Sequence, residues 1–239
     1  MVDGNSGAAL SPTDLVPVVR EALSQIFSFK GPEYDGGNLL AFRRLATALD
    51  SAMFLENELY HARVFDGALE LLEYCFKQAS IDGLLMEFGV FSGRTINFLA
   101  GLTASKIFGF DSFQGLPEDW RPDFRAGAFQ TSLPPVAGNV ELVVGWFNET
   151  LPKFLGEIDG TISFLHVDCD LYSSTKTIFD ACGNRIRSGT VIVFDEYFNY
   201  HGWRHGEYQA FEEFIKQSGL KFEYLGVVPS HQQVAVRIL

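Results

Sequence analysis

From Gly83 onward, short apolar runs alternate with helical stretches, and this alternation constrains the fold more than any other feature of the 239-residue chain. It is typical of βαβ units, which build a parallel sheet covered by helices. The predicted strands are LLMEFGV, KIFGFD, VELVVGW, ISFLHVD and TVIVFDE. Helices are predicted after four of them, at RTINFLAGLTA, ETLPKFLGEI, SSTKTIFDACGNRI and EYQAFEEFIKQSG. The sequence therefore predicts an α/β fold with a mostly parallel sheet.

The last two apolar runs, KFEYLGVV and HQQVAVRIL, are joined by Pro229 and Ser230 without a helix between them. Strands connected so closely pair antiparallel, because a parallel connection needs a crossover. We therefore expect a carboxyl-terminal antiparallel hairpin at one edge of the sheet.

The amino-terminal part of the chain has a different pattern. Apolar residues recur at helical spacing between Leu15 and about Ser80, with no alternation typical of strands. The stretch Lys30 to Asn38 interrupts them with Pro and paired Gly, which predicts a helix end followed by a linker or lid. We therefore divide the chain into a helical region at residues 1–80 and an α/β domain at residues 81–239.

Composition excludes several classes of partner. The chain has 18 basic and 30 acidic side chains, a formal net charge of −12, and its basic residues are scattered. Because phosphate neutralisation needs clustered Lys and Arg, we expect no nucleic-acid and no membrane partner. With no secretory signal, no apolar run long enough to span a membrane and three cysteines without metal-ligand spacing, a cytoplasmic protein with reduced thiols is predicted.

A glycine turn follows the first predicted strand. Gly89 and Gly93 allow a tight turn into a helix whose free N–H groups can bind a nucleotide or an amino-acid end. The spacing is not GxGxxG, which argues against NAD. Glu87, two residues earlier, suits a cationic sulfonium or ammonium better than a pyrophosphate. The alternative is a βα turn that binds nothing.

Asp111 ends the next predicted strand, 22 positions after Gly89. An acidic residue at about this distance is placed to accept hydrogen bonds from ribose hydroxyls. Alternatively, Asp111 and Ser112 only cap the following turn.

Carboxylates also follow two further strands, at Asp168 and Asp170 and at Asp195 and Glu196. The carboxyl ends of neighbouring parallel strands converge on the ligand crevice of an α/β sheet. Asp168, Asp195 and Glu196 are therefore candidate ligands of one hard divalent ion, magnesium first, with calcium or manganese as alternatives. Such an ion lowers the pKa of a bound hydroxyl. The alternative is that each acid separately caps a helix or binds backbone.

The loop FNYHGWRHGEY, from Phe198 to Tyr208, is rich in aromatic and imidazole groups. One hypothesis is that it lies over the crevice, stacks on an acceptor ring and offers His201 or His205 as a proton acceptor. The other is that both histidines are simply solvated.

With these residues in view, the chain resembles the macrocin-type O-methyltransferase family, whose members methylate sugar hydroxyls and related natural-product alcohols. The matching segments run in order from about Leu84 to Tyr208: MEFGVFSGRT, DSFQGLP, GWFNETLP, HVDCDLYSSTK and VFDEY. The resemblance implies a Rossmann-like class I methyltransferase sheet, S-adenosylmethionine as methyl donor, and magnesium. It also implies amino-terminal helices that cover the site and help to form a homodimer or higher homo-oligomer.

The resemblance also implies roles for residues. The cofactor pocket would be lined by Glu87, Gly89, Ser92, Asp111, Ser112 and Trp146. The metal ligands would be Asp168, Asp195 and Glu196, with Asp168 also the general base. The family commonly has two aspartates where this chain has Asp195 and Glu196, so the longer Glu196 side chain departs from the family pattern at the metal site.

The function indicated is methyl transfer from S-adenosylmethionine to a hydroxyl of a sugar or other small acceptor, a catechol included. One alternative is a metal-dependent nucleotide-sugar glycosyltransferase, because Asp168-Cys-Asp170 is formally a DxD motif. No basic cluster near that motif is evident in the sequence to hold a diphosphate. A second alternative is a cofactor-binding protein without turnover.

Overall fold

The structure is a computed structural model that describes residues 38–239. The predicted helix around Leu15 to Ile26 and most of the predicted lid at Lys30 to Asn38 lie outside these residues. Six α-helices are described: α1 (Leu39–Asn57), α2 (Ala68–Gln78), α3 (Arg94–Ala100), α4 (Phe147–Glu157), α5 (Tyr172–Cys182) and α6 (Glu207–Ser218). Two short 3₁₀ turns are found at Gly183–Arg185 and Trp203–His205.

The strands of the described part form one eight-stranded sheet. They are β1 (Arg63–Val64), β2 (Leu84–Phe88), β3 (Ile107–Asp111), β4 (Val140–Val144), β5 (Ile162–Val167), β6 (Val191–Phe194), β7 (Phe222–Val227) and β8 (Val234–Ile238). Their order is β1-β7-β8-β6-β5-β2-β3-β4, with β8 antiparallel to both β6 and β7 and all other pairs parallel. The predicted mostly parallel sheet with a carboxyl-terminal antiparallel hairpin is confirmed.

One detail of the sheet differs from the sequence analysis. The hairpin does not form the outer edge, because β1 pairs parallel with β7, Arg63 opposite Gly226 and Val64 opposite Val227. A strand of two residues is too short to show an alternating pattern, and it was therefore missed in a region that was predicted to be helical only.

The central strands are covered on both faces. All six residues of β5 and all four of β6 are buried, as expected for parallel strands between two helical layers. Register places the ends of these strands side by side: Phe88 pairs with Val167, and Val167 pairs with Phe194. The next residues on β5 and β6, Asp168 and Asp195, therefore leave the sheet as neighbours.

Helix α1 is attached to the sheet domain mainly through one aromatic side chain. The Phe54 ring lies 5.0 Å from that of Trp203 and 5.6 Å from that of Tyr208, centroid to centroid. An ion pair between Asp50 and Arg204, 2.9 Å from oxygen to nitrogen, adds a second link. The helix is thereby held beside the loop that follows β6.

Candidate active site

The turn after β2 brings two backbone segments unusually close. Gly89 has a φ of +91°, and a Cβ added there would lie 1.6 Å from the carbonyl oxygen of Asp168. Only glycine combines this conformation with this separation. Backbone hydrogen bonds from Gly89 to Phe110 (2.9 Å) and from Asp168 to Phe88 (2.8 Å) fix the turn. The turn thus sets the position of Asp168 directly.

Asp111 holds the same turn from the neighbouring strand. Its Oδ2 accepts hydrogen bonds from the N–H groups of Val90 (2.9 Å) and Phe91 (2.8 Å), and its Oδ1 accepts one from Phe113 (2.7 Å). Asp111 therefore does cap the turn, which was the alternative to ribose binding in the sequence analysis. The carboxylate also borders a cavity, and its remaining lone pairs leave it able to accept further hydrogen bonds there.

A cavity of about 490 Å³ opens at the carboxyl ends of β3, β4 and β5. Its wall combines aromatic rings with a few polar groups, the usual character of a small-molecule site. The aromatic and acidic or hydroxyl side chains in that wall include Phe91, Phe129, Trp146, Phe147, Asp111, Ser112, Asp168 and Ser173.

Of the six predicted cofactor residues, Asp111, Ser112 and Trp146 line this cavity. Gly89 and Ser92 belong to the turn that carries the lining residue Phe91, but they are not themselves part of the wall. Glu87 lies elsewhere, and its contact with a cofactor stays a prediction.

The Glu87 carboxylate is fully buried within the sheet layer. It accepts a hydrogen bond from Thr95 Oγ1 (3.0 Å) and contacts Nδ1 of His166 at 2.9 Å. Glu87 and His166 are register partners on β2 and β5, so their side chains leave the sheet on the same face. Its charge is thus directed at His166 rather than at the cavity.

The acidic ends of β5 and β6 converge as the sequence indicated, and a histidine lies with them. Ligand atoms of His166, Asp168 and Asp195 lie within 4.8 Å of one another. Glu196 is not in this group, but it lies beside it, since burial and the charges of Asp195 and Asp168 raise the pKa of Glu196 well above its ordinary value. His166 was overlooked, although its position two residues before Asp168 on the same strand places both side chains on one face.

Burial and mutual repulsion shift the pKa values of these acids. Burial and the charge of Asp195 raise the pKa of Asp168 well above its ordinary value. Burial also raises the pKa of Asp170 to about 7, although the Arg121 charge opposes the shift. Burial lowers the pKa of His166, but the carboxylates of Asp195 and Glu87 outweigh it and raise that pKa well above its usual value. The site therefore carries closely spaced negative charge with little positive charge to balance it.

Glu207, at the start of α6, is a further buried acid that the sequence did not single out. One of its oxygens accepts a hydrogen bond from the Glu196 N–H (3.1 Å) and the other from the Cys169 N–H (3.5 Å). It thereby ties the segment after β5 to the segment after β6. No sequence signal marked it, since a glutamate in the first turn of a helix is ordinary.

Two rings of the aromatic loop after β6 are packed in the core. Phe198 and Trp203 are each 2% exposed and pack with Phe54. The hypothesis that these rings stack on substrate is therefore wrong for them, because burying them in the core is more favourable than leaving them at a crevice. His201 and His205 are exposed, and Nδ1 of His205 lies 3.4 Å from Oε1 of Gln209.

A second cavity, of about 390 Å³, lies between α1 and the loops. Arg43, Arg44 and Arg121 line it, and none of the three makes an ion pair within 4 Å in the described part of the chain. The Arg121 guanidinium lies 3.4 Å from the Trp120 ring centroid. Burial lowers the pKa of Arg121, and the negative charges of Glu196 and Asp170 oppose this shift. The fold thus assembles a basic cluster beside the acidic one, which the sequence alone did not reveal.

Among residues 38–239, no helix has the length and apolar character needed to cross a bilayer.

Comparisons with known proteins find relatives in sequence and in fold. A curated relative, the 8-demethyl-8-(2,3-dimethoxy-alpha-L-rhamnosyl)-tetracenomycin-C 4'-O-methyltransferase of Streptomyces olivaceus, is 28% identical. The match covers 57% of this chain and 62% of the relative, so the chain spans less than two thirds of that protein's length.

Two solved structures share the fold. The calicheamicin methyltransferase CalS11 superposes with a TM-score of 0.59 at 21% identity, over 99% of this chain and 98% of that one. The O-methyltransferase NovP gives a TM-score of 0.55 at 21% identity, over 71% of this chain and 78% of that one. The family model of a methyltransferase domain matches residues 86–197, the segment that contains both the glycine turn and the acidic cluster. Residues 86–197 thus match the model of a methyltransferase domain, as the motifs indicated, and the sheet around them has the fold of the solved methyltransferases.

Proposed function

We propose that the chain is an S-adenosylmethionine-dependent O-methyltransferase that acts on a hydroxyl of a sugar or another small natural-product acceptor. The observation that carries the proposal is the cavity in the methyltransferase domain, where Asp111, Trp146 and Asp168 face one space. The names of the related proteins support an oxygen acceptor, because those proteins are called O-methyltransferases.

S-adenosylmethionine, when bound, supplies an electrophilic methyl group on a sulfonium. Asp111 would accept hydrogen bonds from its ribose, and the aromatic rings of Trp146 and Phe91 would pack against its adenine. Ser112, with Gly89 and Ser92 in the turn, would complete the pocket. Glu87 would also support the site through His166, with which it shares a hydrogen bond, and its own contact with the cofactor stays a prediction.

The proton of the acceptor hydroxyl would pass to Asp168. S-adenosylmethionine would supply the methyl group for the new oxygen–methyl bond and leave as the neutral thioether, and a carboxylate oxygen of Asp168 would accept the hydroxyl proton. A carboxylate whose pKa is raised by burial and by Asp195 is a stronger base than an exposed aspartate. Positioning of the acceptor beside the methyl group would supply much of the remaining acceleration.

A divalent cation fits the acidic cluster, since close carboxylates and a buried imidazole nitrogen without a hydrogen-bond partner are present there. Asp168 and Asp195 would hold it, and the sequence resemblance names Glu196 as a third ligand and magnesium as the ion. Such an ion would supply a lower pKa for the bound hydroxyl.

The basic cavity suggests where the rest of the acceptor would lie. One structure of CalS11, with a TM-score of 0.53, carries the name TDP-rhamnose 3'-O-methyltransferase. A nucleotide-bearing sugar of this kind would place its diphosphate near Arg43, Arg44 and Arg121, because one guanidinium can donate hydrogen bonds to two phosphate oxygens at once. Inhibition by dTDP but not by thymidine, lost in Arg121→Ala, would support this acceptor class; equal inhibition by both would count against it.

Three further proposals concern the whole chain. Residues 1–80 would form a helical region that covers the site and contributes to a homodimer or higher homo-oligomer, while residues 81–239 would bind the cofactor. The exposed side chains of Leu39, Leu49 and Met53 on α1 are compatible with such a contact. The protein would be cytoplasmic, where its three buried free thiols stay reduced.

The first test is calorimetric titration with S-adenosylhomocysteine, with divalent metal and again with a chelator, and with NADH and UDP-glucose as controls. Binding of S-adenosylhomocysteine alone is expected. Binding of UDP-glucose instead would favour a glycosyltransferase, and tight cofactor binding without turnover on a broad acceptor panel would favour an inactive protein.

The second test concerns the base. Asp168→Asn is expected to lower kcat by about 10²–10⁴-fold with an unchanged Kd for S-adenosylhomocysteine. Wild-type turnover by this variant on the true acceptor would remove Asp168 from the mechanism.

A further inference from the structure

We propose that the carboxylate of Asp170 binds a hydroxyl group of the acceptor other than the one that is methylated, so that the acceptor must carry a second free hydroxyl, as a sugar ring does. The inference rests on the proposed function, because it takes the acceptor to lie between the acidic cluster and the basic cavity. In the sequence, Asp170 is distinguished only as the second acid of the formal DxD motif.

The first observation is a buried carboxylate without a partner. Asp170 is only 9% exposed, and within residues 38–239 its carboxylate oxygens form no hydrogen bond and no ion pair. The fully enclosed polar atoms without a partner include Glu196 Oε2 and Tyr200 Oη but neither oxygen of Asp170, so the Asp170 carboxylate borders open space. An unpaired carboxylate in such a place is costly unless a ligand donates to it.

The second observation is the backbone that carries this carboxylate. Asp170 has a φ of +65°, and the Leu171 N–H donates a hydrogen bond to the Cys169 carbonyl oxygen at 2.6 Å. This bond closes a three-residue turn centred on Asp170, and a γ-turn with a positive φ is rare and strained. Strain of this kind at a residue other than glycine clusters at functional sites. The fold therefore keeps Asp170 in this position at a cost in stability.

The third observation is the side of the site on which Asp170 lies. Asp168, Cys169 and Ser173 line the larger cavity, whereas Asp170, between them in the chain, does not. Burial raises the pKa of Asp170 and the Arg121 charge opposes this rise, so the two groups are near each other. Arg121 lines the basic cavity. Asp170 is therefore on the acceptor side and not in the wall of the cofactor cavity.

Arg121 and Asp170 carry opposite charges but are not joined as an ion pair within 4 Å in the described part of the chain. The guanidinium lies instead 3.4 Å from the centroid of the Trp120 ring and 4.9 Å from that of Tyr200, and its Nε is enclosed without a partner. Two nearby opposite charges that stay apart can be bridged by a ligand with a donor for the carboxylate and an acceptor for the guanidinium. A sugar that carries a phosphate has both.

The chemistry of a carboxylate defines the bound group. A carboxylate only accepts hydrogen bonds, and the hydroxyl is the donor that a neutral sugar offers. Asp168 would accept the proton of the reacting hydroxyl, so Asp170, two residues later, would bind a different hydroxyl of the same ring. A site built to bind a hydroxyl strongly rejects an analogue that lacks it.

The test compares Asp170→Asn with the matched control Asp82→Asn in the full chain. Asp82 is exposed and precedes β2, at the end of the sheet opposite the site. Asparagine tolerates a positive φ, and the substitution removes a charge beside other acids. Asp170→Asn should therefore unfold at the same urea concentration as wild type at pH 7, or at a higher one. A residue that only forms the turn would give the same result, so binding decides.

Binding is measured by calorimetry with S-adenosylhomocysteine and Mg²⁺ present, and the probes are dTDP-L-rhamnose, dTDP and methyl α-L-rhamnoside. Wild type should bind dTDP-L-rhamnose more tightly than dTDP, and Asp170→Asn should weaken dTDP-L-rhamnose about 10–100-fold. Its affinities for dTDP and for S-adenosylhomocysteine should stay within about threefold of wild type, and Asp82→Asn should keep all of them. Binding of the methyl rhamnoside alone, weakened by Asp170→Asn, would support the role of Asp170 and remove the diphosphate from the acceptor.

Unchanged binding of dTDP-L-rhamnose by Asp170→Asn would refute the proposal, and so would a wild type that binds neither sugar probe. A variant that loses affinity for S-adenosylhomocysteine or Mg²⁺ would assign Asp170 to the cofactor or the metal instead. A lower urea midpoint would show that the carboxylate is used inside the fold. Absence of S-adenosylhomocysteine binding by wild type would refute the methyltransferase proposal, while the sugar titrations without it would still test Asp170.

Discussion

Replacement of Gly89 by alanine tests whether the turn after β2 and the position of Asp168 depend on each other. The alanine Cβ would lie 1.6 Å from the Asp168 carbonyl oxygen, whereas real Cβ contacts are essentially never shorter than 3.0 Å. The two backbone segments would therefore have to separate by about 1.4 Å. Because both contacting groups belong to the backbone of the central sheet, no side-chain rotation can relieve the clash.

The free-energy cost of the Gly89→Ala substitution has two parts. A left-handed conformation costs an alanine about 1–2 kcal/mol. Separation of the strands also breaks the hydrogen bonds from Gly89 to Phe110 and from Asp168 to Phe88, each worth about 0.5–1.5 kcal/mol. We expect Gly89→Ala to lower the free energy of unfolding by about 2–5 kcal/mol.

Gly219→Ala is the matched control. Gly219 follows α6 with a φ of +69°, and nothing lies within 4 Å of an added Cβ, so only the conformational part remains. Urea unfolding curves measure both variants, and titration with S-adenosylhomocysteine measures the pocket. Gly89→Ala should also weaken that binding at least about tenfold, the equivalent of 1.4 kcal/mol. A Gly89→Ala protein as stable as the control, with wild-type affinity, would refute the coupling between the turn and Asp168.

Three further predictions concern other parts of the structure. Asp111→Asn should weaken S-adenosylhomocysteine about 10–100-fold, because an amide cannot accept all three backbone N–H groups; an unchanged Kd in calorimetry would contradict its placement at the pocket. Asp50→Asn should destabilise the fold by at most about 1 kcal/mol at pH 7. Since the Arg204 hydrogen bond lowers the pKa of Asp50, this stabilisation is fully present above the ordinary value of 3.8 and is lost as pH falls through the lower pKa of the folded protein, so the difference between variant and wild type in urea curves should be smaller at pH 3.5 than at pH 7. The three cysteines should resist iodoacetamide at pH 8.5 in the native protein and react fully in urea, because burial raises all three thiol pKa values, two of them to about 12; rapid native alkylation would show that the thiols are accessible.

The parts of the fold that follow from local pattern were predictable. Strands β2 to β6 are apolar runs bounded by turn residues, and the register of β5 and β6 makes Asp168 and Asp195 neighbours for any chain with this topology. Strand β1 was not predictable, because two residues carry no periodicity and its pairing with β7 depends on contacts distant in sequence.

The site was predictable where chain spacing determines proximity and unpredictable where side-chain packing does. Asp111 lies at the end of its strand beside the turn, as its spacing from Gly89 indicated. The partner of Glu87 depends on which residue of β5 lies opposite, and that residue is His166. The burial of Trp203 depends on packing against Phe54, a residue that is distant from it in the sequence. No local motif records either pairing.

The charge balance of the site connects these observations to chemistry. The positive groups that interact with the acids of the site are His166 and Arg121. Five carboxylates converge there: Asp168, Asp170, Asp195, Glu196 and Glu207. Buried like charges are costly, and the raised pKa values of four of these five acids record that cost. A bound divalent cation and the positive sulfonium of a methyl donor would both relieve it. The same excess of negative charge that destabilises the empty site therefore favours cationic ligands, and their positive charge would lower the pKa of Asp168 and hold it in the carboxylate form that can accept a proton.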